Sequence, residues 1–152
     1  MEIKDRIAII TGGGGGIGSA TARKWIAEGA RAVVVADYDE EAATSVAGEL
    51  GCIGVGLDVT DEKALEQLVE ETESTLGPVD IFFSNAGAGA QGGVEASNEA
   101  WQSQWELHVM SHVYAARAVL PSMTARGDGY LIQTASAAGL LAAVGSVPYS
   151  VT

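Results

Sequence analysis

Thr11-Gly12-Gly13-Gly14-Gly15-Gly16-Ile17-Gly18 is the stretch on which the fold turns. It closes the β-branched run Ile7–Thr11 and opens Ile17–Glu28, a segment with helical composition that stops at Gly29. Glycines let a backbone approach a pyrophosphate closely. The N-terminus of the following helix adds oriented N–H groups and the positive end of a dipole. Nineteen residues beyond Gly18, after the apolar run Ala32–Ala36, stands Asp37, followed by Tyr38. A carboxylate there can accept hydrogen bonds from both hydroxyls of an adenosine ribose and repels a 2′-phosphate. No Arg or Lys lies between Gly12 and Gly18, so the expected cofactor is NAD rather than NADP.

Working outward, three more apolar runs follow: Ile53–Leu57, Val79–Ser84 and Tyr130–Thr134. They are continuous rather than alternating, as in strands buried on both faces of a parallel sheet. Between them lie expected helices at Glu40–Leu50, Glu62–Leu76 and Glu99–Ala125. Thr60 and Asp61 are good N-caps for the second of these. Pro121 is expected to kink the last or to start its final turn. The alternation reads as βαβ units in an α/β, doubly wound parallel sheet of the Rossmann type. The small, polar segment Gly87–Asn98 reads as a loop at a strand end. One domain over residues 1–152 is expected, with no linker and no repeat.

Composition narrows the function. Of 152 residues, 47% are hydrophobic and 18% charged, which excludes a disordered chain. Twenty acidic residues against eight basic give a net charge of −12. That argues against nucleic acid or an anionic membrane as partner. No stretch approaches a transmembrane helix and no signal-peptide core is evident, so a cytoplasmic protein is expected. Cys52 is the only cysteine, which rules out an internal disulfide or a cysteine-built metal centre in this chain. It is expected to be buried and inert.

With these residues in view, the chain resembles the short-chain dehydrogenase/reductase family. TGGGGGIG fits that family's TGxxxGxG signature, covering Gly12, Gly14, Gly15, Gly16, Ile17 and Gly18. Asp58-Val59 looks like the pair that contacts adenine, and Asn85-Ala86-Gly87 matches the motif that supports the sheet beside the cofactor. Ser136 and Tyr149 stand thirteen residues apart, as the family's catalytic serine and tyrosine do. The resemblance implies hydride transfer between NAD and a secondary alcohol or ketone. Tyr149 would be the general base, also touching the cofactor, and Ser136 would orient the substrate oxygen. A free phenol, with a pKa near ~10, needs a neighbouring positive charge for that task. The family supplies it with a lysine four residues after the tyrosine, a place that falls just beyond Thr152.

The resemblance further implies a seven-strand domain of which this chain is the N-terminal, five-strand portion, truncated at its C-terminal end, and a homodimer or homotetramer. Turnover by the 152 residues alone is not expected. Where the family usually shows a relay asparagine, this sequence has His108, which can carry on a proton relay or simply pack on its helix. His108 and His112 share the i, i+4 spacing of some zinc sites, but no glutamate lies between them and no cysteine is near, so no metal is expected. Trp101 and Trp105 read as packing or interface residues. The small, apolar segments Gly87–Gly93 and Ala137–Val144 suggest a small to medium apolar substrate. A non-catalytic nucleotide-binding or scaffold protein on the same fold is the alternative.

Overall fold

The computed structural model describes residues 2–141 and 144–152. Five strands form one sheet in the order β3-β2-β1-β4-β5: β1 Ile7–Thr11, β2 Ala32–Asp37, β3 Ile53–Gly56, β4 Ile81–Ser84 and β5 Tyr130–Gln133. Every pairing is parallel. The chain winds outward from β1 through β2 to β3, then crosses back to place β4 on the other side of β1. The carboxyl ends of β1 and β4 therefore flank a topological switch point, where open α/β sheets bind their ligands.

Each strand sends alternate side chains to opposite faces. Ile9, Val34 and Phe82 point into one core, against Leu65, Leu68 and Val69 of α3 (Glu62–Thr75) and Ala115, Val119 and Met123 of α5 (Ser111–Arg126). Ile10, Val33, Val35 and Phe83 point into the other. There they meet Ala22 and Trp25 of α1 (Gly16–Ala27) and Ala43 and Val46 of α2 (Glu40–Leu50). β1, β2 and β4 are buried on both faces, as continuous apolar runs require. Edge strands β3 and β5 keep exposed residues, Ile53 and Tyr130 among them.

Helix starts follow their caps. Asp39 accepts from Ala42 N–H at the head of α2, Asp61 from Lys63 and Ala64 N–H at the head of α3, and Ser97 from Ala100 N–H at the head of α4 (Asn98–Trp105). The helix expected over Glu99–Ala125, with Pro121 kinking it or starting its final turn, runs on past that proline: α5 continues to Arg126, with buried Val119 and Met123 on either side of exposed Pro121. Its irregularity lies earlier, in a π-helical turn at Glu106–Met110 between α4 and α5, where Ser111 N–H donates to Glu106 C=O. A π turn holds one extra residue and often marks a functional site. His108 sits at its centre.

After β5 the chain makes a short 3₁₀ turn, Ala137–Gly139, and ends in α6 (Val147–Val151). Of the segment expected to give the pocket its apolar character, Ala142 and Ala143 lie outside the described residues. No helix among the described residues is long and apolar enough to cross a membrane.

Candidate active site

A cavity of about 1250 Å³ opens at the carboxyl ends of β1, β2, β4 and β5. It is larger than the ~300–1,000 Å³ usual for a drug-sized ligand. The expected residues meet along it, but not all in the same way.

At one end lies the glycine loop. Gly15 and Gly16 line the wall with nothing within 4 Å of where a Cβ would stand, so their backbone faces open space. α1 begins there with no side-chain cap on its first N–H groups and no acidic residue in its first turn, which leaves those donors for an anion. Gly12 and Ile17 also line the cavity. Gly14 and Gly18 do not; they close the loop from behind. A Cβ on Gly18 would overlap the Gly12 carbonyl oxygen. Gly14 N–H donates to Asp37 Oδ2 at 2.9 Å. Asp37 Oδ1 accepts from Asp39 N–H at 3.0 Å, so both carboxylate oxygens are anchored while the group faces the cavity. Tyr38, 82% exposed, lies beside it. Asp58 and Val59 continue this wall. One Asp58 carboxylate oxygen, Oδ1, accepts from Thr60 N–H and Oγ–H at 2.9 and 2.7 Å. Bare backbone, uncapped donors and an anchored acid suit a dinucleotide in this half.

The middle is built by Asn85. Its Nδ2 donates to the carbonyls of Thr11 and Gly12, both at 3.2 Å, and its Oδ1 accepts from Thr134 Oγ–H at 2.8 Å. Thr11 Oγ1 accepts from the N–H groups of Asn85 and Ala86 at 3.0 and 3.2 Å. One side chain from β1 and one after β4 thus lock three strand ends together and set the course of Ala86 and Gly87 along the cavity. Thr11 and Thr134 carry this lock unforeseen by the sequence reading. Their signal was a hydroxyl residue closing each of two apolar runs.

At the far end stand Ser136, Tyr149 and His108. Ser136 caps the 3₁₀ turn, its Oγ accepting from Ala138 N–H at 3.2 Å. That turn packs on α6, which puts Ser136 and Tyr149 on one wall. α6 is seated by Gly92 N–H donating to Gly145 C=O at 2.8 Å and Val147 N–H donating to Gly92 C=O at 2.9 Å. The His108 ring meets the Tyr149 ring edge-on, with centroids 5.2 Å apart. Burial holds the His108 imidazole below its ordinary pKa, and burial together with His108 does the same for His112, which also faces the cavity. Among the described residues, no three His, Cys, Asp or Glu side chains come together as a metal-holding group. Gln104, 6% exposed and on the same wall, was missed by the sequence reading. Its Oε1 is buried without a hydrogen-bond partner among the described residues. Cys52 is half-buried rather than buried, and burial raises its thiol pKa.

A profile of the short chain dehydrogenases matches residues 6–152. The chain belongs to that family. Among relatives of this short-chain dehydrogenase is the meso-2,3-butanediol dehydrogenase of Serratia marcescens, 35% identical over 92% of this chain and 57% of its own length. The crystal structure of a family member from Burkholderia phymatum in complex with NAD superposes with a TM-score of 0.94. It is 32% identical, over 99% of this chain and 56% of its own. L-sorbose reductase from Gluconobacter frateurii, crystallised with NADPH and L-sorbose, gives a TM-score of 0.86 at 36% identity, over 100% of this chain and 61% of its own. This chain thus spans somewhat over half the length of these relatives. NAD and NADPH both occur among the bound cofactors.

Proposed function

We propose that the protein containing this chain is an NAD-dependent oxidoreductase acting on a secondary alcohol or ketone. The observation that carries the reading is one cavity joining the bare glycine backbone and Asp37 at one end to Ser136 and Tyr149 at the other. Gly12, Gly15, Gly16 and Ile17 would hold the pyrophosphate end, and Asp37 and Tyr38 the adenosine ribose. Asp58 and Val59 would border the adenine, with Asn85, Ala86 and Gly87 passing the nicotinamide half. Gly14 and Gly18 shape the loop. When bound, the nicotinamide supplies an acceptor for the hydride, the two electrons and proton leaving the carbinol carbon.

This chain's own residues supply the remainder. Ser136 Oγ already accepts from Ala138 N–H, so its hydroxyl proton is free to point at a substrate oxygen and hold it. Tyr149, as the phenolate, takes the alcohol proton at its phenolic oxygen and becomes the neutral phenol as the C–O bond becomes C=O, and returns the proton in the reverse direction. Asp37 supports NAD over NADP: an anchored carboxylate accepts from a 2′-hydroxyl and repels a 2′-phosphate. Exposed Leu140 and Leu141 beyond the 3₁₀ turn favour an apolar substrate. A cytoplasmic homodimer or homotetramer fits the same reading.

The test is a panel of apolar secondary alcohols offered to the purified full-length protein with NAD or NADP, followed by reduced-cofactor absorbance. Turnover with NAD at least tenfold above that with NADP is expected. NAD binding without turnover on any alcohol or ketone would favour a non-catalytic nucleotide-binding protein instead.

A further inference from the structure

We propose that His108 is a positioning residue acting as a neutral imidazole with its proton on Nδ1, clamping the loop after β4 to the helix that carries Tyr149, and that it does not relay protons. Its effect on turnover rests on the oxidoreductase reading; its tautomer does not.

The backbone N–H of Ala88 can only donate, and it points at His108 Nε2 from 3.2 Å. Nε2 must therefore present its lone pair, and a neutral ring then carries its proton on Nδ1. Nδ1 lies 3.0 Å from Thr152 Oγ1, and that hydroxyl spends its own proton on Pro148 C=O at 3.1 Å. Each hydrogen along the path Ala88, His108, Thr152, Pro148 meets one acceptor. The other tautomer, or an imidazolium, sets two N–H groups head to head at Ala88.

Sterics agree. A Cβ on Gly87 would stand 3.3 Å from Nε2 and 3.4 Å from Cδ2, so the ring is seated against the loop backbone. Its edge-on contact with Tyr149 braces the phenol from the side. Tyr149 and Thr152 are three residues apart at the end of one helical segment, so the ring grips that segment at two points. A relay through the ring needs, at each nitrogen, a partner that can give up and take back a proton, and the partner at Nε2 is a backbone amide.

The experiment uses full-length protein with ¹⁵N-labelled histidine and long-range ¹H–¹⁵N spectra, with His108 assigned by its loss in His108→Gln. The expected result is a protonated Nδ1 and a lone pair on Nε2 at pH 7. A proton on Nε2, or a charged ring at that pH, overturns the proposal. Kinetics give the second arm. In His108→Gln the amide oxygen can still accept from Ala88 but cannot titrate. Its kcat should fall less than about fivefold, with the pH profile unmoved. His108→Leu, which lacks the acceptor, should lose at least tenfold in kcat. A His108→Gln profile that shifts its pH midpoint, or a loss as large as that of His108→Leu, restores the relay and overturns the clamp. Absence of all turnover in the unaltered protein would defeat the oxidoreductase reading alone, since the tautomer would still be read directly.

Discussion

The two ends of the cavity are built by opposite means. The glycine end is nearly all backbone: eight consecutive residues, Thr11–Gly18, turn between one strand and one helix, and a single side chain, Asp37, is pinned to them. The tyrosine end is nearly all side chain. His108, Ser136, Tyr149 and Thr152 arrive there from a π turn, a 3₁₀ cap and α6, and His108 alone ties the loop after β4, at Ala88, to Thr152 by hydrogen bonds over long sequence separations. A site made of backbone has its shape fixed by the fold. A site made of side chains needs each one held by a neighbour. The first should therefore fail through crowding, and the second through the loss of single polar groups.

Gly18→Val strikes the glycine end hardest. Its Cβ would occupy the place of the Gly12 carbonyl, and the nearby atoms are backbone that cannot swing aside. NAD affinity should fall more than about a hundredfold, with a stability loss of about 1–3 kcal/mol or more from overpacking. Calorimetric titration and thermal unfolding read both. Asp37→Ala removes the anchored acceptor while leaving the loop space intact. Hydrogen bonds to a charged group contribute about 1.5–3 kcal/mol, so NAD affinity should drop roughly 10- to 150-fold while NADP affinity holds or rises. An equal loss for both cofactors would show that Asp37 only shapes the loop.

Asn85→Ala tests the hinge between the two ends. It leaves Thr134 Oγ–H without its acceptor and two carbonyls without donors. Stability should fall by about 1–3 kcal/mol, visible as a lower melting temperature. The smallest effect sharpens the tyrosine end. His108 and His112 bind protons less readily folded than unfolded. Neither affects the pH dependence above the unfolded value of about 6.5. As pH falls below it, the unfolded chain takes up more protons and stability is lost, progressively down to the folded values. His112→Gln should flatten that acid-side decline; an unchanged slope would remove His112 from it.

The same contrast explains what the sequence could reveal. Ile7–Thr11, the glycine run and Asp37 were legible because strand burial, backbone approach and the helix start are decided within a few residues of each other. The cap at Asp61 and the strand read at Ala32–Ala36, which runs one residue further to Asp37, were legible for the same reason; Ser136 and Tyr149, taken from the family's spacing, both line the cavity. His108 was visible as an unusual residue, yet its partners were not. Ala88 and Thr152 lie 20 and 44 residues away and meet it only across the folded π turn. Nothing local marks that turn. Pro121 was the more obvious breaker, but it faces solvent, where losing one helical hydrogen bond is tolerated, and the buried neighbours Val119 and Met123 keep the helix whole. The Thr11–Asn85–Thr134 lock escaped for a similar reason, since it joins the ends of three strands that the sequence keeps far apart.

The decisive comparison is Tyr149→Phe against the unaltered full-length protein in one preparation, titrating NAD and then following alcohol oxidation. With Tyr149 as the base, the variant should hold NAD within about twofold of the unaltered protein and show a kcat lower by roughly 10²- to 10⁴-fold, the usual contribution of a general base. Turnover that survives the loss of the phenolic hydroxyl would contradict that role.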